Sequence, residues 1–319
     1  EETVNYINIH KPKDLKISYA LTTNLSLMTR ERAKFFANLE DCAITCSIDG
    51  PKIIHDNFRV STNNEGTFDK TIEGLHNLID VFGERAKRCL SIYTVICPPY
   101  TDERLQAIYD FFTGLEWLPK EVNCENTKVK PGTYEIEDNT KNSNKLLSEP
   151  IKDFFLRKAL ETNDPFDYAV QAIRRIIIKV NNRRVSQIPD CIISMNGCCI
   201  PGQKRIYITT DGEFKVCEKI GYSPSIGNIE TGFNKDELIK HYYYDYIEQS
   251  KNDCTHCWAS KLCPLCFSNC YDENGFNLTT KRNDCTRAKN FVKDCLIIYH
   301  ELLEKNPELL VDIIKSTDV

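Results

Sequence analysis

The sequence lacks the features of a membrane protein and of a nucleic-acid-binding protein. No apolar run reaches the roughly 18 to 20 residues that a membrane-spanning helix needs, and runs such as residues 174–180 are short and flanked by charge. The net charge of −5 and the pI of about 5.8 give no electrostatic reason to expect nucleic acid. No initiator Met and no apolar targeting segment precede Glu1. We therefore expect residues upstream to be missing, and the absence of a signal peptide carries little weight.

Cysteine, by contrast, is abundant. Sixteen occur among 319 residues, five of them before residue 190 and eleven between Cys191 and Cys295. A secreted disulfide framework is one interpretation, but such scaffolds are small, and Lys- and Ile-rich helical stretches like those found here are not typical of them. The clustering therefore favours metal or iron–sulfur ligation in a reducing cytoplasm.

Strand and helix patterns alternate through the first third of the chain. The pattern predicts three strands with a helix after each, at 14–24, 29–40, 41–51, 67–82, 88–100 and 101–115. Thr29 and Thr101 are predicted helix N-caps. Successive strand–helix units predict an α/β fold with a parallel sheet. Three strands make a thin sheet, so we expect either a small α/β sandwich or half of a larger sheet, whose unpaired edges would favour dimerisation.

The rest of the chain changes character twice. Residues 118–147 are polar and predicted to be irregular, and a helix-rich stretch is expected from about 148 to 182. Residues 204–220 alternate about an Asp-Gly turn, which predicts a β-hairpin, and an amphipathic helix is expected over about 287–305. We therefore predict three regions, namely a domain over 1–117, a connecting helical region over 118–190 and a cysteine-rich domain over 191–319.

Five cysteines fall within residues 254–270, CTHCWASKLCPLCFSNC. Cys254-x2-Cys257 and Cys263-x2-Cys266 each form a natural half-site, because a tight loop can turn both sulfurs inward. Four thiolates in this arrangement suit one tetrahedral zinc, as in a zinc ribbon. The eleven cysteines of the C-terminal part suit two four-iron clusters better than one zinc, and both interpretations stay open.

The wider spacing resembles the SPASM domain. The pattern is Cys199-x12-Gly212-x4-Cys217, then Cys254-x2-Cys257-x5-Cys263, a further Cys within a few residues, and Cys285. SPASM domains extend many radical S-adenosylmethionine (SAM) enzymes that modify ribosomally made peptides, and they hold two auxiliary [4Fe-4S] clusters. The segments CIPGQKRIYITTDGEFKVCEKI and SIGNIETGF resemble maturases of Cys-rich peptides, which install thioether links of sactipeptide or ranthipeptide type.

The N-terminal segments resemble the radical SAM barrel itself. TTN at 22–24, SIDGP at 47–51, HDNFRV at 55–60 and GTFDKTIEGL at 66–75 resemble strands four and five of that barrel and the following helix. The resemblance implies that 1–117 is the second half of a radical SAM partial (β/α)6 barrel, followed by the SPASM domain with its β-hairpin. The CxxxCxxC triad that holds the SAM-cleaving cluster does not occur among the sixteen cysteines, so this chain alone should not cleave SAM.

The resemblance also implies SAM-contacting residues. Ser47 and Asp49, at the C-terminal tip of a predicted strand, would bind the SAM ribose or amino acid moiety. Arg59 would pair with the SAM carboxylate, and Asn24 is a weaker candidate of the same kind. A capped strand end for the first two residues and a surface salt bridge for Arg59 are structural alternatives that stay open.

Interleaved cluster ligation is the family pattern. The distal cluster would use four thiolates, Cys254, Cys257, Cys263 and Cys285. The proximal cluster would use Cys199, Cys217 and one of Cys266 or Cys270. Cys191 or Cys198 would complete it, unless its fourth iron site stays open for a substrate thiolate. The cysteines in apolar surroundings are predicted core thiols, namely Cys42, Cys46, Cys89, Cys97, Cys124 and Cys295.

The resemblance therefore implies the C-terminal part of a cytoplasmic radical SAM/SPASM peptide maturase. Its cofactors would be two auxiliary [4Fe-4S] clusters, with SAM and a third [4Fe-4S] cluster in the intact enzyme. Its partners would be a Cys-rich precursor peptide and an electron donor such as flavodoxin or ferredoxin. The alternative is a non-catalytic iron–sulfur or zinc protein that binds a peptide or another partner.

Overall fold

A computed structural model describes residues 1–128, 149–183, 201–203, 205–219 and 221–316. These residues form two compact units. Apart from Glu149, which belongs to the second unit, the first unit comprises the described residues up to Ala172 and the second those from Ile173 onward. No helix in the described ranges combines the length and apolar character needed to cross a bilayer.

The first unit is built on a four-stranded parallel sheet with strand order β1-β2-β3-β4. The strands are Tyr19–Thr23, Cys42–Ser47, Leu90–Ile96 and Asn123–Lys128. Helices α1 to α7 are Glu2–His10, Arg30–Ala37, Lys52–His55, Phe68–Phe82, Ala86–Cys89, Asp102–Thr113 and Glu149–Leu160. Helix α8, Tyr168–Asn181, contains residues of both units. The predicted α/β fold with a parallel sheet is confirmed. Its description as half of a barrel stays a prediction.

Both predicted N-caps are confirmed. The backbone N–H of Arg32 donates to Thr29 Oγ1 at 3.3 Å, and that of Arg104 donates to Thr101 Oγ1 at the same distance. Each bond pairs one of the N–H groups that a helix start leaves without an intrahelical acceptor.

The prediction of an irregular connection over 118–147 is wrong for β4. Asn123–Lys128 pairs with β3 along its length, from Ser91 opposite Asn123 to Ile96 opposite Lys128. The strand has the sequence NCENTK, and Cys124 is its buried side chain among those described. A polar strand at a sheet edge carries too little apolar periodicity to be recognised.

The two faces of the sheet differ in character. Along β3 the side chains alternate strictly, with Leu90, Ile92, Thr94 and Ile96 buried and the residues between them half-buried. The register places a polar row across the less buried face, made of Thr22, Thr45, Ser91 and Asn123. Thr45 Oγ1 and Ser91 Oγ within this row share a hydrogen bond of 3.1 Å. The less buried face of the sheet is therefore polar at this level.

Helix α4 fixes the loop that follows β1. Thr71 Oγ1 donates to the backbone carbonyl of Asn24 at 3.0 Å, and Asn77 Nδ2 donates to that of Met28 at 3.0 Å. Gly74 faces the same loop, and a Cβ at this position would lie 2.4 Å from the carbonyl oxygen of Leu25.

We therefore expect Gly74→Ala to destabilise the protein. The gain in helix propensity of about 1 kcal/mol is outweighed by forcing the backbone of Leu25 away, for a net loss of about 2 kcal/mol. Urea unfolding measures this loss. Glu73→Ala on the exposed side of α4 is the control and should stay within about 0.5 kcal/mol of wild type. Equal stability of Gly74→Ala and wild type would contradict the close packing.

The second unit consists of short hairpins and helices. The paired strands β5 to β10 are Tyr207–Ile208 with Phe214–Lys215, Gly227–Asn228 with Gly232–Phe233, and Tyr271–Asp272 with Gly275–Phe276. Helices α9 to α12 are Lys235–Ile239, Gln249–Thr255, Leu278–Lys305 and Pro307–Lys315, and a π-helical segment, Lys240–Glu248, joins α9 to α10. The predicted hairpin about Asp211-Gly212 is confirmed, since β5 and β6 pair antiparallel and Gly212 has φ 86°.

The core of this unit packs around aromatic side chains. Tyr242, Tyr246, Phe267 and Tyr271 are buried together, and Cys217, Cys263 and Cys285 pack against the same cluster. The long helix α11 begins at Leu278, earlier than the predicted 287, and Asn277 caps it through a 3.0 Å bond from the Thr280 N–H. Because of the earlier start, residues 278–286, which include Cys285, are part of α11.

Candidate functional sites

Asp49 lies just beyond the C-terminal end of β2 and is 3% exposed. Its carboxylate accepts hydrogen bonds from Arg59 Nε at 2.5 Å and from Arg59 Nη2 at 3.0 Å, and a third from the Val95 N–H at 2.9 Å. Parallel strands β2 and β3 end at the same edge of the sheet, so a residue after one strand can bind the backbone of the next. Asp49 is thus engaged by the protein on both of its oxygens.

Arg59 pairs with a buried carboxylate rather than with a surface one. Its side chain is 23% exposed, and the bidentate contact with Asp49 uses Nε and Nη2, which holds the planar guanidinium in a fixed orientation. The remaining nitrogen, Nη1, is not part of this contact. A direct contact of Asp49 with SAM, as predicted, would compete with three existing hydrogen bonds, whereas Arg59 keeps a nitrogen for a ligand.

A buried histidine supports this pair. The Asp49 N–H donates to His55 Nδ1 at 3.3 Å, which assigns the ring proton to Nε2, and Nε2 lies 3.3 Å from Thr67 Oγ1. Thr67 in turn donates to the carbonyl oxygen of Arg59 at 2.9 Å. His55 is 0% exposed, and burial lowers its pKa. Sequence analysis did not single out His55 or Thr67, although both lie in segments that resemble the barrel.

This geometry predicts a pH-dependent stability. Because the folded-state pKa of His55 lies below the usual value near 6.5, the unfolded chain binds its proton more readily. The contribution to the free energy of unfolding is therefore complete above pH 6.5 and declines as the pH falls below it, by at most about 1.4 kcal/mol per pH unit. Urea unfolding between pH 7.5 and 5.5 tests this, with His55→Gln expected to have a shallower slope than wild type. His10→Gln, at an exposed position of α1, is the control, and identical slopes for His55→Gln and wild type would contradict the assignment.

Ser47 and Asn24 occupy neighbouring positions at the edge of the sheet. Ser47 is the last residue of β2, half-buried and opposite Tyr93 of β3. Asn24 is exposed after β1, and its Oδ1 accepts bonds from the N–H and the hydroxyl of Ser26 at 3.2 and 2.9 Å. Of the four predicted SAM-binding residues, the structure brings Asp49 and Arg59 into direct contact.

In the second unit, four cysteines line one cavity of about 290 Å³. They are Cys254, Cys257, Cys263 and Cys285, and we call this space the four-thiol cavity. Cys254 lies in α10, Cys257 and Cys263 lie in the loop after it, and Cys285 lies on α11. Burial raises the pKa of Cys263, and the other three thiols raise it further through their charge, against a hydrogen bond from the Leu265 backbone that lowers it. These are the four residues that the sequence resemblance implies for the distal cluster.

A buried lysine faces the four-thiol cavity. Lys281, on α11, is 1% exposed, and its Nζ donates to Cys254 Sγ at 3.3 Å. The ammonium also lies 5.6 Å from the centre of the Tyr246 ring. Burial by itself lowers the pKa of Lys281, but the Cys254, Cys285 and Cys270 side chains together outweigh it, and the net effect raises the pKa. Sequence analysis missed this residue.

The structure describes three of the cysteines predicted for the proximal cluster, namely Cys217, Cys266 and Cys270. Cys270 is 0% exposed, and burial raises its pKa to about 12. Cys266 Sγ accepts a hydrogen bond from Ser268 Oγ at 3.1 Å, and Cys217 Sγ accepts one from the Lys219 N–H at 3.4 Å. Three further candidates lie outside the described residues, namely Cys191, Cys198 and Cys199.

Of the six predicted core thiols, five are buried, namely Cys42, Cys46, Cys97, Cys124 and Cys295, and Cys89 is only half-buried. Burial raises the pKa to about 12 for Cys46 and Cys124 and to about 11 for Cys97. Cys295 is similarly buried on α11. In the described ranges, no three His, Cys, Asp or Glu side chains converge closely enough to hold a single metal ion. The four thiols of the four-thiol cavity line one space, and as a donor set four thiolates fit a thiolate-ligated cluster.

Comparisons with known proteins identify relatives in sequence and in fold. No protein-family model matches the chain. A cysteine-type anaerobic sulfatase-maturating enzyme of Clostridium novyi (strain NT) is 25% identical over 307 residues, which cover 91% of this chain and 74% of that enzyme. An uncharacterized protein of Methanothermobacter thermautotrophicus is 31% identical over 142 residues, 44% of this chain and 47% of that protein.

Solved structures of anSMEcpe match nearly the whole chain. The native protein with bound AdoMet and Kp18Cys peptide gives a TM-score of 0.62 at 18% identity, covering 100% of this chain and 81% of that one. The hexahistidine-tagged protein with bound AdoMet gives 0.61 at 19% identity, covering 99% and 80%. The chain therefore has the α/β fold of this AdoMet-bound protein.

Proposed function

We propose that this chain is part of a SAM-dependent radical enzyme that modifies a cysteine-containing peptide by forming a thioether between the cysteine sulfur and a carbon of another residue. The four-thiol cavity is the observation that carries the proposal. Its thiols come from residues 254–263 and from α11, and they line one cavity, which supports the ligand set that the sequence resemblance implies. The similarity to a cysteine-type maturating enzyme agrees with it.

The residues have distinct proposed roles. Cys254, Cys257, Cys263 and Cys285 would hold the distal [4Fe-4S] cluster, which when bound supplies one-electron redox chemistry. The proximal cluster would use Cys217, one of Cys266 or Cys270, and Cys199 with Cys191 or Cys198. In the first unit, Asp49 would orient Arg59, and Arg59 would bind the SAM carboxylate through Nη1.

The modification could instead be that of a sulfatase cysteine, a second candidate that the similarity to the Clostridium novyi enzyme favours. Mass spectrometry of the peptide, recovered from cells that produce it together with the native protein, distinguishes the two. A thioether leaves the sulfur in the peptide and removes two hydrogen atoms, one from the thiol and one from the crosslinked carbon. Loss of sulfur from the product would contradict the crosslink.

Peptide binding tests the proposal on the chain itself. After anaerobic reconstitution with iron and sulfide, the chain should bind a short peptide with one central cysteine at least about tenfold more tightly than the Cys→Ser peptide, a difference of about 1.4 kcal/mol. Fluorescence anisotropy of the labelled peptides measures both affinities. Equal affinity for the two peptides would contradict a cysteine-directed site.

A further inference from the structure

We infer that Lys281 is the counter-ion of the metal–thiolate centre in the four-thiol cavity and raises its reduction potential. The inference rests on the proposed function for the presence of that centre. Lys281 is not part of the cysteine motifs, and its nearly complete burial is unusual for a lysine.

Lysine is among the residues least often fully buried, because removing an unpaired ammonium from water is costly. Lys281 is nevertheless 1% exposed. The two other cations that line the four-thiol cavity are placed differently. Arg282 forms a bidentate pair with Asp253 at 2.8 and 3.2 Å, and Lys289 is exposed.

The partners of Lys281 are sulfur and an aromatic ring. In the part of the chain that the structure describes, its Nζ donates to Cys254 Sγ, and no carboxylate forms an ion pair with it. Thiolates that bind a metal are negatively charged, and they would give this ammonium an anionic partner. The burial of Lys281 is therefore explained when the cavity holds an anionic thiolate-ligated centre.

The positive charge of Lys281, held on α11 beside the cavity, determines the direction in which the reduction potential shifts. Lys281 and Cys285 are four residues apart and lie on the same face of the helix. Lys281 and Cys285 line the same cavity, and the Lys281 ammonium donates to Cys254 of α10. A fixed positive charge favours the more negative, reduced form of a centre beside it, so it raises the reduction potential. Hydrogen bonds to ligand sulfur act in the same direction.

The first test is a redox titration of the anaerobically reconstituted chain, followed by absorption and electron paramagnetic resonance. Lys281→Met keeps most of the apolar stem and removes the charge. We expect the equilibrium constant for one-electron reduction of one centre to fall about tenfold, which is 59 mV, with iron content unchanged. Lys281→Arg should shift it less, and Lys293→Met at an exposed position of α11 should not shift it. An unchanged potential in Lys281→Met with full iron would overturn the inference.

The second test compares the metal-free and the metal-loaded protein. In the metal-free protein Lys281 keeps its bond to Cys254 Sγ but lacks the negative charge of a metal–thiolate centre, so Lys281→Met should unfold at the same or a higher temperature than wild type. Metal loading should then stabilise wild type more than the variant. A lower melting temperature of metal-free Lys281→Met would assign Lys281 a packing role and overturn the inference, even if the variant fails to take up iron. Absence of iron from wild type would contradict the proposed function instead, and the metal-free comparison would still decide the role of Lys281.

Discussion

Replacing Cys257 by Ala is expected to remove the metal centre from the four-thiol cavity. If two four-iron clusters are present, the iron content should fall from about eight to about four per chain. The second unit should also lose stability, because the free energy of binding a structural metal is coupled to folding and amounts to several kcal/mol or more. Iron analysis and thermal unfolding of the anaerobically purified variant measure the two effects.

A matched control exists on α11. Cys295 is 1% exposed but does not line the four-thiol cavity. Cys295→Ala should therefore keep the full iron content and lose only the small packing contribution of one sulfur. If Cys257→Ala kept as much iron as Cys295→Ala, Cys257 would not be a ligand.

The second large effect is expected at the sheet edge of the first unit. Asp49→Asn retains the shape of the side chain, but an amide cannot accept both N–H groups of the Arg59 fork and the Val95 N–H as a carboxylate does. Breaking a buried ion pair typically costs about 3–5 kcal/mol. Because Arg59 is partly exposed to solvent, we expect a smaller loss of about 2–3 kcal/mol in the free energy of unfolding.

Urea unfolding compares this variant with an exposed pair. Arg30 and Asp80 lie 3.3 Å apart with side chains 60% and 58% exposed. Asp80→Asn should therefore change stability by no more than about 0.5 kcal/mol. A loss no larger in Asp49→Asn than in Asp80→Asn would show that the Asp49–Arg59 pair does not hold the end of β2 in place.

The elements with strong local signals could be predicted from the sequence. β2 and β3 carry an alternating apolar pattern, and Thr29 and Thr101 supply side-chain oxygens just before their helices. β4 could not be recognised, because its pairing with β3 is set by tertiary contact and its sequence is mostly polar. The start of α11 could not be recognised, because residues 278–286 are mostly polar and lack an apolar stripe.

In the candidate sites, too, the residues with a local sequence signal could be predicted, and those placed by tertiary contacts could not. Cysteine spacing gave the half-sites Cys254/Cys257 and Cys263/Cys266, and the resemblance to the SPASM domain implied the set of four thiols that line the four-thiol cavity. Lys281 gave no such signal, because lysines on helices are usually exposed and its burial depends on how α11 packs on α10. The contact between Asp49 and Arg59 likewise depends on how the loop after β2 folds back onto the strand ends.

We propose that the second unit binds two iron–sulfur clusters. The measurement that tests it most directly is the content of iron, sulfide and zinc in the anaerobically purified chain, with an absorption spectrum. We expect about eight iron and eight sulfide per chain, the content of two four-iron clusters, with a broad visible absorption that bleaches on reduction. One or two zinc ions and no iron, reproduced after anaerobic reconstitution, would contradict the cluster assignment and leave a zinc-binding interaction module.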